Sequence, residues 1–470
     1  MYVRNDMTKT EELVAKQREY FRSGVTLPCR FRCEMLDRLY HAIRMSESEI
    51  EAALQADLGK NRFEAYTTEV GFALSEISYL RRHLFRMMRP RRVCTDLSNL
   101  PGRSRIVPEP YGNVLVMSPW NYPFQLSISP LAGAIAAGNT VVLKPSNYSI
   151  NTSRLLSRLI RETFPPEYIT VVEGDRYVNQ DLLDAHFDYI FFTGSTHVGR
   201  VVMEKAAAHL TPVSLELGGK SPCIIDPTAK LDLAARRIAW GKCLNSGQTC
   251  VAPDYALVHR SVVEPFVSAL KRAFIRQVGE HAELSPDYPR IINRKKFDRL
   301  RDMIAASDVL WGGAVSEDTL QIAPCIVRGD WDSAAMEEEI FGPIFPILTY
   351  DSLDEVIREV TDRPRPLALY LFTEDRRVER EVIARIPFGG GCVNDTIMHL
   401  ASSHMPFGGV GESGMGGYHG RFSFETFSHR KSILHKATWL DLPVRYGRNI
   451  ERDLRLVRLM LRYLNSARKR

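Results

Sequence analysis

One cysteine of the chain follows a run of small and polar residues, Asn245-Ser-Gly-Gln-Thr-Cys250. No large apolar residue flanks this thiol on its approach, and the residues before it favour a turn. A thiol is already partly ionised at neutral pH, and nearby dipoles can raise that fraction. The pattern predicts that Cys250 is a nucleophile that can form a covalent intermediate.

Three further strings carry residues that such a nucleophile would need. Asn121, in Ser118-Pro-Trp-Asn-Tyr-Pro123, follows a predicted strand and could donate a hydrogen bond to a developing oxyanion. Glu216 ends another predicted strand beside two glycines, and Glu339-Ile-Phe-Gly-Pro343 places a carboxylate and an aromatic ring on one turn. Each string alone has an ordinary structural explanation, but their joint occurrence in this order indicates an active site.

The elements that must position these residues alternate between strands and helices. Short apolar or β-branched runs predict strands at residues 113–117, 140–144, 169–172, 189–193 and 213–217, and helical patterns such as 153–162 and 198–209 lie between them. This alternation predicts a parallel sheet with crossover helices, a Rossmann-like nucleotide-binding fold in which ligands bind at the carboxyl ends of strands. A second α/β segment is expected from Lys220 to about Met415.

The first ninety residues are expected to be helical. Apolar residues recur at helical spacing in 11–23, 31–45 and 46–57, and Ser46 with Glu49 predicts a capping box.

Length and composition exclude several classes of protein. A chain of 470 residues is expected to form two or three domains, and 44% hydrophobic with 25% charged residues is ordinary for a globular protein. The net charge of +6 arises from 62 basic and 56 acidic residues, too small an excess to indicate nucleic-acid binding. No transmembrane run, secretory signal or zinc-binding motif is visible, so we expect a cytoplasmic protein without a metal.

The sequence resembles the NAD(P)-dependent aldehyde dehydrogenase superfamily, and especially its class 3 branch, from about residue 10 to about residue 440. The resemblance is densest in Phe191-Phe-Thr-Gly-Ser-Thr-His-Val-Gly199, Leu210-Thr-Pro-Val-Ser-Leu-Glu-Leu-Gly-Gly-Lys-Ser-Pro222, Gly247-Gln-Thr-Cys-Val-Ala-Pro-Asp-Tyr255 and Ser423-Phe-Glu-Thr-Phe-Ser-His-Arg430. It implies an α/β fold with a Rossmann-like cofactor domain, an α/β catalytic domain and a small bridging element. The implied bounds are 1–91 with 111–217 for the cofactor domain and 218–417 for the catalytic domain. The bridging element is expected at 92–110 with 418–440, and a tail follows at 441–470.

The resemblance also implies roles for individual residues. Cys250 is expected to be the nucleophile, Glu216 the general base, and Asn121 the oxyanion donor together with the Cys250 backbone N–H. The cofactor, NAD or NADP, is expected to contact Lys144 at the adenosine ribose, Gly194, Ser195 and Gly199 at the pyrophosphate, Glu339 at the nicotinamide ribose, and Phe341 and Trp120 near the nicotinamide.

The expected reaction is oxidation of an aldehyde to a carboxylic acid through a thioester on Cys250, which water hydrolyses with help from Glu216. Two alternatives stay open: a CoA-acylating enzyme, in which a thiol takes the acyl group, and a non-catalytic protein that reuses the fold. Class 3 relatives imply medium-to-long aliphatic or aromatic aldehydes, with Tyr122, Ile397 and Met398 as candidate pocket residues, and a homodimer.

One residue departs from the family pattern. Asn147 follows Lys144-Pro-Ser where many members carry a glutamate that binds the ribose hydroxyls. A carboxylate there repels a 2′-phosphate, so Asn147 predicts weaker discrimination against NADP.

One glycine-rich motif is not expected to bind a dinucleotide. Gly409-Val-Gly-Glu-Ser-Gly414 matches the GxGxxG pattern only in letters, because no strand is predicted before it and no helix after it.

The C-terminal tail is basic and amphipathic. Arginines at 452, 455, 458 and 462 and apolar residues at 454, 457, 461 and 464 recur at helical spacing. Two interpretations are open at this point. The helix either docks on the protein's own surface or makes peripheral contact with an anionic membrane.

Overall fold

The computed structural model describes the backbone of residues 8–467 and the side chains of residues 8–462. Its α-helices are α1 (Lys9–Arg22), α2 (Cys29–Met45), α3 (Glu47–Leu58), α4 (Arg62–Ala65), α5 (Gly71–Met88), α6 (Gln125–Ala137), α7 (Ile150–Thr163), α8 (Arg176–Asp184), α9 (Thr196–Ala207), α10 (Leu231–Cys243), α11 (Val263–Val278), α12 (Arg294–Ala305), α13 (Ala334–Glu337), α14 (Leu353–Thr361), α15 (Arg376–Arg385), α16 (Arg421–Thr426) and α17 (Ile450–Ala467).

The strands are β1 (Arg91–Val93), β2 (Gly102–Pro110), β3 (Asn113–Met117), β4 (Thr140–Lys144), β5 (Ile169–Val171), β6 (Tyr189–Thr193), β7 (Val213–Glu216), β8 (Pro222–Ile225), β9 (Tyr255–His259), β10 (Asp308–Gly312), β11 (Val315–Ser316), β12 (Gln321–Ile322), β13 (Cys325–Arg328), β14 (Ile344–Tyr350), β15 (Ala368–Phe372), β16 (Gly390–Val393), β17 (Gly414–Met415) and β18 (Ser428–Lys436).

The N-terminal region is helical as predicted, but the expected capping box is wrong. Ser46 lies between α2 and α3 with φ −100° and ψ 9°, and its side chain makes no capping hydrogen bond. An N-cap residue needs an extended backbone to aim its side chain at the first free N–H groups, and a residue joining two helices without a break does not adopt it. The capping box of this region is formed instead by Thr8 and Glu11 at the start of α1.

A six-stranded sheet has the order β17-β7-β6-β3-β4-β5 and is parallel except for the short strand β17. Its strands β3 to β7 match the predicted ones to within a residue. The central strands β3, β4 and β6 are buried at every position. Helices cover both faces of such a sheet, which explains why these strands appear in the sequence as continuous apolar runs. The prediction of a mixed α/β fold with parallel sheets is confirmed.

Three more sheets complete the architecture, the smallest of which is the antiparallel pair β11-β12. A seven-stranded sheet has the order β10-β13-β14-β9-β8-β15-β16 and is parallel except for β10. A three-stranded antiparallel sheet, β1-β2-β18, joins the two segments that the sequence predicts to be bridging elements. None of the helices described is long and apolar enough to cross a membrane.

The tail forms the predicted helix, α17, and its described side chains are exposed apart from Asp453. Leu454, Val457 and Leu461 are 45%, 38% and 53% exposed. This face is therefore open in the structure and is not buried against the rest of the described chain. The side chain of residue 464, which also belongs to the predicted apolar face, lies outside the described residues.

Candidate active site

The main cavity lies where the strand order of the six-stranded sheet reverses. From β3 the chain proceeds to β4 and β5 on one side, and then crosses to β6 and β7 on the other. The loops that leave β3 and β6 therefore diverge and open a crevice at the carboxyl edge of the sheet. A cavity of about 810 Å³ occupies it. The predicted site residues that line this cavity are Trp120, Asn121, Gly194, Ser195, Glu216, Cys250, Glu339 and Phe341.

A strained loop delivers Cys250 to the cavity. Asn245, Ser246 and Gly247 have φ values of 49°, 54° and 74°, a conformation that is unfavourable for residues other than glycine. Side-chain and backbone hydrogen bonds stabilise it, since Gln248 donates through Nε2 to the carbonyls of Asn245 and Arg290. Strained loops of this kind are concentrated at functional sites.

Asn121 is buried and its amide is fixed from one side. Nδ2 donates to the Gln248 carbonyl at 3.0 Å, and the Asn121 carbonyl accepts from Asn245 Nδ2 at 2.8 Å. An amide nitrogen carries two protons, so one proton anchors Asn121 and the other can be directed at the cavity. The loops that carry Asn121 and Cys250 are thus joined directly to each other.

Burial disfavours the charged forms of both reactive groups. It raises the pKa of the Cys250 thiol to about 12, with further increases from the charges of Glu339 and Glu216. Burial also raises the pKa of Glu216 well above its usual value. Neither carboxylate oxygen of Glu216 has a hydrogen-bond partner among the described protein groups. A buried carboxylate without a donor is free to exchange a proton with a ligand or with water.

The walls of the cavity fit a dinucleotide. Helix α9 begins at Thr196 beside the cavity, and the first N–H groups of a helix have no partner within it. Lys296 adds positive charge, which suits a pyrophosphate. The Trp120 and Phe341 rings stand edge to face with their centres 5.3 Å apart and form an apolar part of the lining. In the part of the chain described, no group of three His, Cys, Asp or Glu side chains could hold a metal ion.

Glu339 is placed by the ion pair between Lys220 and Asp254. Lys220 Nζ donates to Asp254 Oδ2 at 2.5 Å and to the Glu338 carbonyl at 2.9 Å, and Asp254 Oδ1 accepts from the Ile340 N–H. These bonds fix the turn on both sides of Glu339. Burial, followed by the charge of Asp254, raises the pKa of Glu339 to about 8.

Five predicted residues do not line this cavity. Lys144 is buried at the end of β4, and its ammonium donates to the Pro145 carbonyl at 2.8 Å. Gly199 lies in α9 against Leu217, where a Cβ would come within 2.6 Å of that side chain. The remaining three are the candidate substrate residues: Tyr122 is buried, Ile397 is buried with φ of 63°, and Met398 is half exposed.

Sequence reasoning missed several residues next to the site. Lys60, Glu64 and Glu69 are buried beneath the Asn121 and Cys250 loops. Nothing in their local sequence distinguishes them from charges on an exposed helix. The loop that contains the GxGxxG pattern has no strand–turn–helix structure, as expected. Two of its residues, Glu412 and Ser413, nevertheless line the cavity.

Comparison with known proteins agrees with this geometry. The family model described as "Aldehyde dehydrogenase family" matches residues 3–433. The chain is 48% identical to 4,4'-diaponeurosporen-aldehyde dehydrogenase of Staphylococcus aureus, covering 93% of this chain and 96% of the relative. It is 44% identical to aldehyde dehydrogenase family 3 member A2 of Mus musculus, covering 91% and 88%. It is also 44% identical to "Aldehyde dehydrogenase, dimeric NADP-preferring" of Canis lupus familiaris, covering 94% and 98%.

A solved structure has the same fold over nearly the whole length. The structure titled "Substrate bound state of Staphylococcus Aureus AldH" is 46% identical and covers 96% of this chain and 100% of that one, with a TM-score of 0.93. The family uses NAD or NADP, and the relatives above are named as aldehyde dehydrogenases, which favours an enzyme over the non-catalytic alternative. The chain therefore belongs to the aldehyde dehydrogenase family, with its near relatives in the class 3 branch.

Proposed function

We propose that the chain oxidises a medium-to-long aliphatic or aromatic aldehyde to the carboxylic acid, through a thioester on Cys250 that is hydrolysed with Glu216 as general base. The observation that carries this proposal is the convergence of Cys250, Asn121 and Glu216 on one cavity from three distant segments of the chain. A nucleophile, an amide donor and an unpaired carboxylate are the groups that acyl transfer to water requires.

In the first half of the reaction, Cys250 Sγ attacks the aldehyde carbon. Asn121 Nδ2 and the Cys250 backbone N–H stabilise the resulting alkoxide, and one such donor contributes about 10²–10³ in rate. A nicotinamide held by Glu339 and Phe341 would supply the acceptor for the hydride that leaves this carbon. In the second half, Glu216 takes a proton from water, the hydroxide attacks the thioester carbon, and Cys250 leaves as a thiolate.

The raised pKa values suggest how Cys250 loses its proton. The negative charges of Glu216 and Glu339 disfavour a thiolate beside them. Transfer of the thiol proton to Glu216 leaves the total charge of the pair unchanged, so a thiolate forms without adding charge to a buried site. The same carboxyl group must release that proton before it can activate water. A carboxylate in this position also favours hydrolysis over the CoA-acylating alternative.

The direct test mixes the purified chain with NAD and a hydrophobic aldehyde and follows the absorbance of the reduced cofactor. Cys250→Ala should abolish oxidation, because the thiol is the covalent participant, while cofactor binding measured by calorimetry should persist. Cys243→Ala is the matched control, since Cys243 is buried and does not line the cavity. More than a few per cent of activity in Cys250→Ala, or loss of activity only in Cys243→Ala, would refute the assignment.

For the remaining contacts, we propose that Lys144 and Gly199 serve the cofactor as the resemblance implies, and that Tyr122, Ile397 and Met398 lie along the route of the aldehyde. Asn147 is exposed just after β4, and the absence of a carboxylate there supports use of NADP as well as NAD. A relative of this chain is named as NADP-preferring.

We also propose that the cofactor domain comprises 1–91 and 111–217, the catalytic domain 218–417, and the bridging element 92–110 and 418–440. We further propose a homodimer that assembles through the three-stranded sheet of the bridging element. Strand β18 pairs with β2 along one edge, and its other edge pairs with none of the strands described. Free strand edges of this length are normally paired or protected. A relative is named as dimeric.

Eight free cysteines, one of them the proposed nucleophile, support a reducing compartment such as the cytoplasm.

The tail helix, we propose, lies on an anionic membrane surface. Ile450, Leu454 and Leu461 are exposed on one face of α17, and Arg458 and then Arg455 follow along one side of that face. An apolar face flanked by arginines complements an interface of acyl chains and negative headgroups. Each basic residue near such a surface contributes about 1 kcal/mol, enough for reversible attachment.

Co-sedimentation with phosphatidylserine vesicles tests this contact. At low salt the full chain should pellet, whereas a chain ending at Pro443 should stay in the supernatant, and high salt should release the full chain. A matched variant with Arg455 and Arg458 replaced by Gln should pellet less. If the full chain stays in the supernatant at low salt, α17 does not bind membrane.

A further inference from the structure

A buried ion pair lies directly beneath the residues that we assign to the oxyanion. Lys60 and Glu69 are 1% and 0% exposed, and Lys60 Nζ donates to Glu69 Oε1 at 2.5 Å. Glu69 belongs to a π-helical turn, Tyr66–Val70, between α4 and α5. Such turns are rare and occur frequently at functional sites. Neither charged group lines the cavity, so neither contacts a ligand there.

Both members of the pair bind the backbone of the Asn121 loop. Lys60 Nζ also donates to the Asn121 carbonyl at 3.0 Å and lies 3.9 Å from the centre of the Tyr122 ring. The second oxygen of Glu69 accepts the N–H groups of Phe124 and Gln125 at 2.9 and 3.0 Å, at the start of α6. The loop is therefore fixed at Asn121 and again three to four residues later.

The same segment also binds the loop of the nucleophile. Glu64 Oε1 accepts the N–H of Asn245 at 2.7 Å, and Asn245 Nδ2 donates to the Asn121 carbonyl. That carbonyl thus receives two donors, one from Lys60 and one from the cysteine loop. Residues 60–69 are joined in this way to both sides of the site where the alkoxide forms.

We propose that Lys60 and Glu69 are positioning residues for the oxyanion site, which hold the Asn121 backbone so that its free amide N–H points at the developing alkoxide. The inference rests on the proposed function. A buried ion pair loses much of its attraction to the cost of removing both charges from water, so it contributes little net stability. What it supplies here is a fixed distance between a rigid helical segment and Asn121. Oxyanion donors act only when they are held in place before the reaction.

Glu69→Gln is the main test. The amide keeps the volume of the side chain, and its oxygen can still accept from the N–H groups of α6, but the charge opposite Lys60 is lost. Rapid mixing of enzyme, NAD and aldehyde gives the rate of reduced-cofactor formation in the first turnover. We expect this rate to fall by about 10- to 100-fold, because misplacement by about 1 Å can cost about 10². KM for NAD should stay unchanged.

A matched control separates positioning from stability. Asp57 is also a buried carboxylate of the N-terminal region, and it accepts the N–H groups of Asn151 and Thr152 at the start of α7, away from the cavity. Asp57→Asn should lower Tm and leave the first-turnover rate unchanged. With deuterated aldehyde, Glu69→Gln should show a larger isotope effect on kcat than the wild type and Asp57→Asn, since slower hydride transfer then limits turnover more strongly.

The possible outcomes are distinct. If the first turnover is as fast in Glu69→Gln as in the wild type, the ion pair is structural only and the inference is wrong. If Glu69→Gln does not fold, Glu69→Asp, which keeps the charge but shortens its reach, replaces it: a slower first turnover supports the inference and an unchanged one overturns it. If the wild type itself forms no reduced cofactor, the proposed function fails instead.

Discussion

A methyl group added at Gly247 should push the loop of Cys250 away from the turn that carries Phe341 and Gly342. A Cβ built at this position would lie 2.3 Å from the carbonyl oxygen of Gly342, whereas real Cβ atoms essentially never approach within 3.0 Å. The obstacle is backbone, so the loop of Cys250 and the turn that ends with Phe341-Gly342 must move apart by about 0.7 Å. Displacements of about 1 Å cost up to about 10² in rate, so Gly247→Ala should lower kcat/KM by about 10- to 100-fold.

The loss of stability has two components. The φ of Gly247 is +74°, and the left-handed conformation costs a residue with a Cβ about 1–2 kcal/mol. Overpacking against the Gly342 carbonyl adds about 1–3 kcal/mol. Gly447 is the matched control, because it is left-handed with φ of 56° and ψ of 32° and nothing lies within 4 Å of a Cβ there. Gly447→Ala should show the conformational cost alone and keep full activity.

Thermal unfolding and steady-state kinetics of both variants measure these effects. Gly247→Ala should lose more stability than Gly447→Ala, and only Gly247→Ala should lose kcat/KM. Equal losses of Tm with unchanged activity in both variants would refute the claim that the two segments are in rigid contact at this point.

Three further predictions concern the chemistry. Glu216→Gln should slow the first turnover, because the amide cannot accept the thiol proton, and should slow steady-state turnover further, by about 10²–10⁴, because it cannot activate water; a steady-state rate that falls no more than the first-turnover rate would contradict the role of Glu216 in hydrolysis. Because burial raises the pKa of Glu216 and brings that of Cys250 to about 12, and both act deprotonated, kcat/KM should fall as pH falls from 9 to 6, and a flat profile would argue against these groups. The kcat/KM with NADP should lie within about two orders of magnitude of that with NAD, and Asn147→Glu should widen this gap by charge repulsion. Strict NAD dependence of the unmodified chain would instead indicate that another group near Lys144, such as Asp175, excludes the 2′-phosphate.

The local patterns of the sequence were sufficient for most of the fold. Strands β3, β4 and β6 are recognisable because a strand buried on both faces must be apolar at every position, and this constraint acts within five consecutive residues. Cys250, Asn121 and Glu216 could be singled out only through the joint occurrence of their sequence strings, because each string alone has an ordinary structural explanation. The sequence also indicated the amphipathic character of α17, which depends only on helical spacing.

Other features depended on contacts between distant residues. Lys60 and Asn121 are 61 positions apart, and Glu64 and Asn245 are 181 apart, so no local pattern could show that these buried charges support the site. Ser46 has the right residue type for a helix cap, but the path of the chain from α2 into α3 denies it the required backbone conformation. Charge and capping potential are properties of single residues, whereas burial and hydrogen-bond partners exist only once the chain has folded.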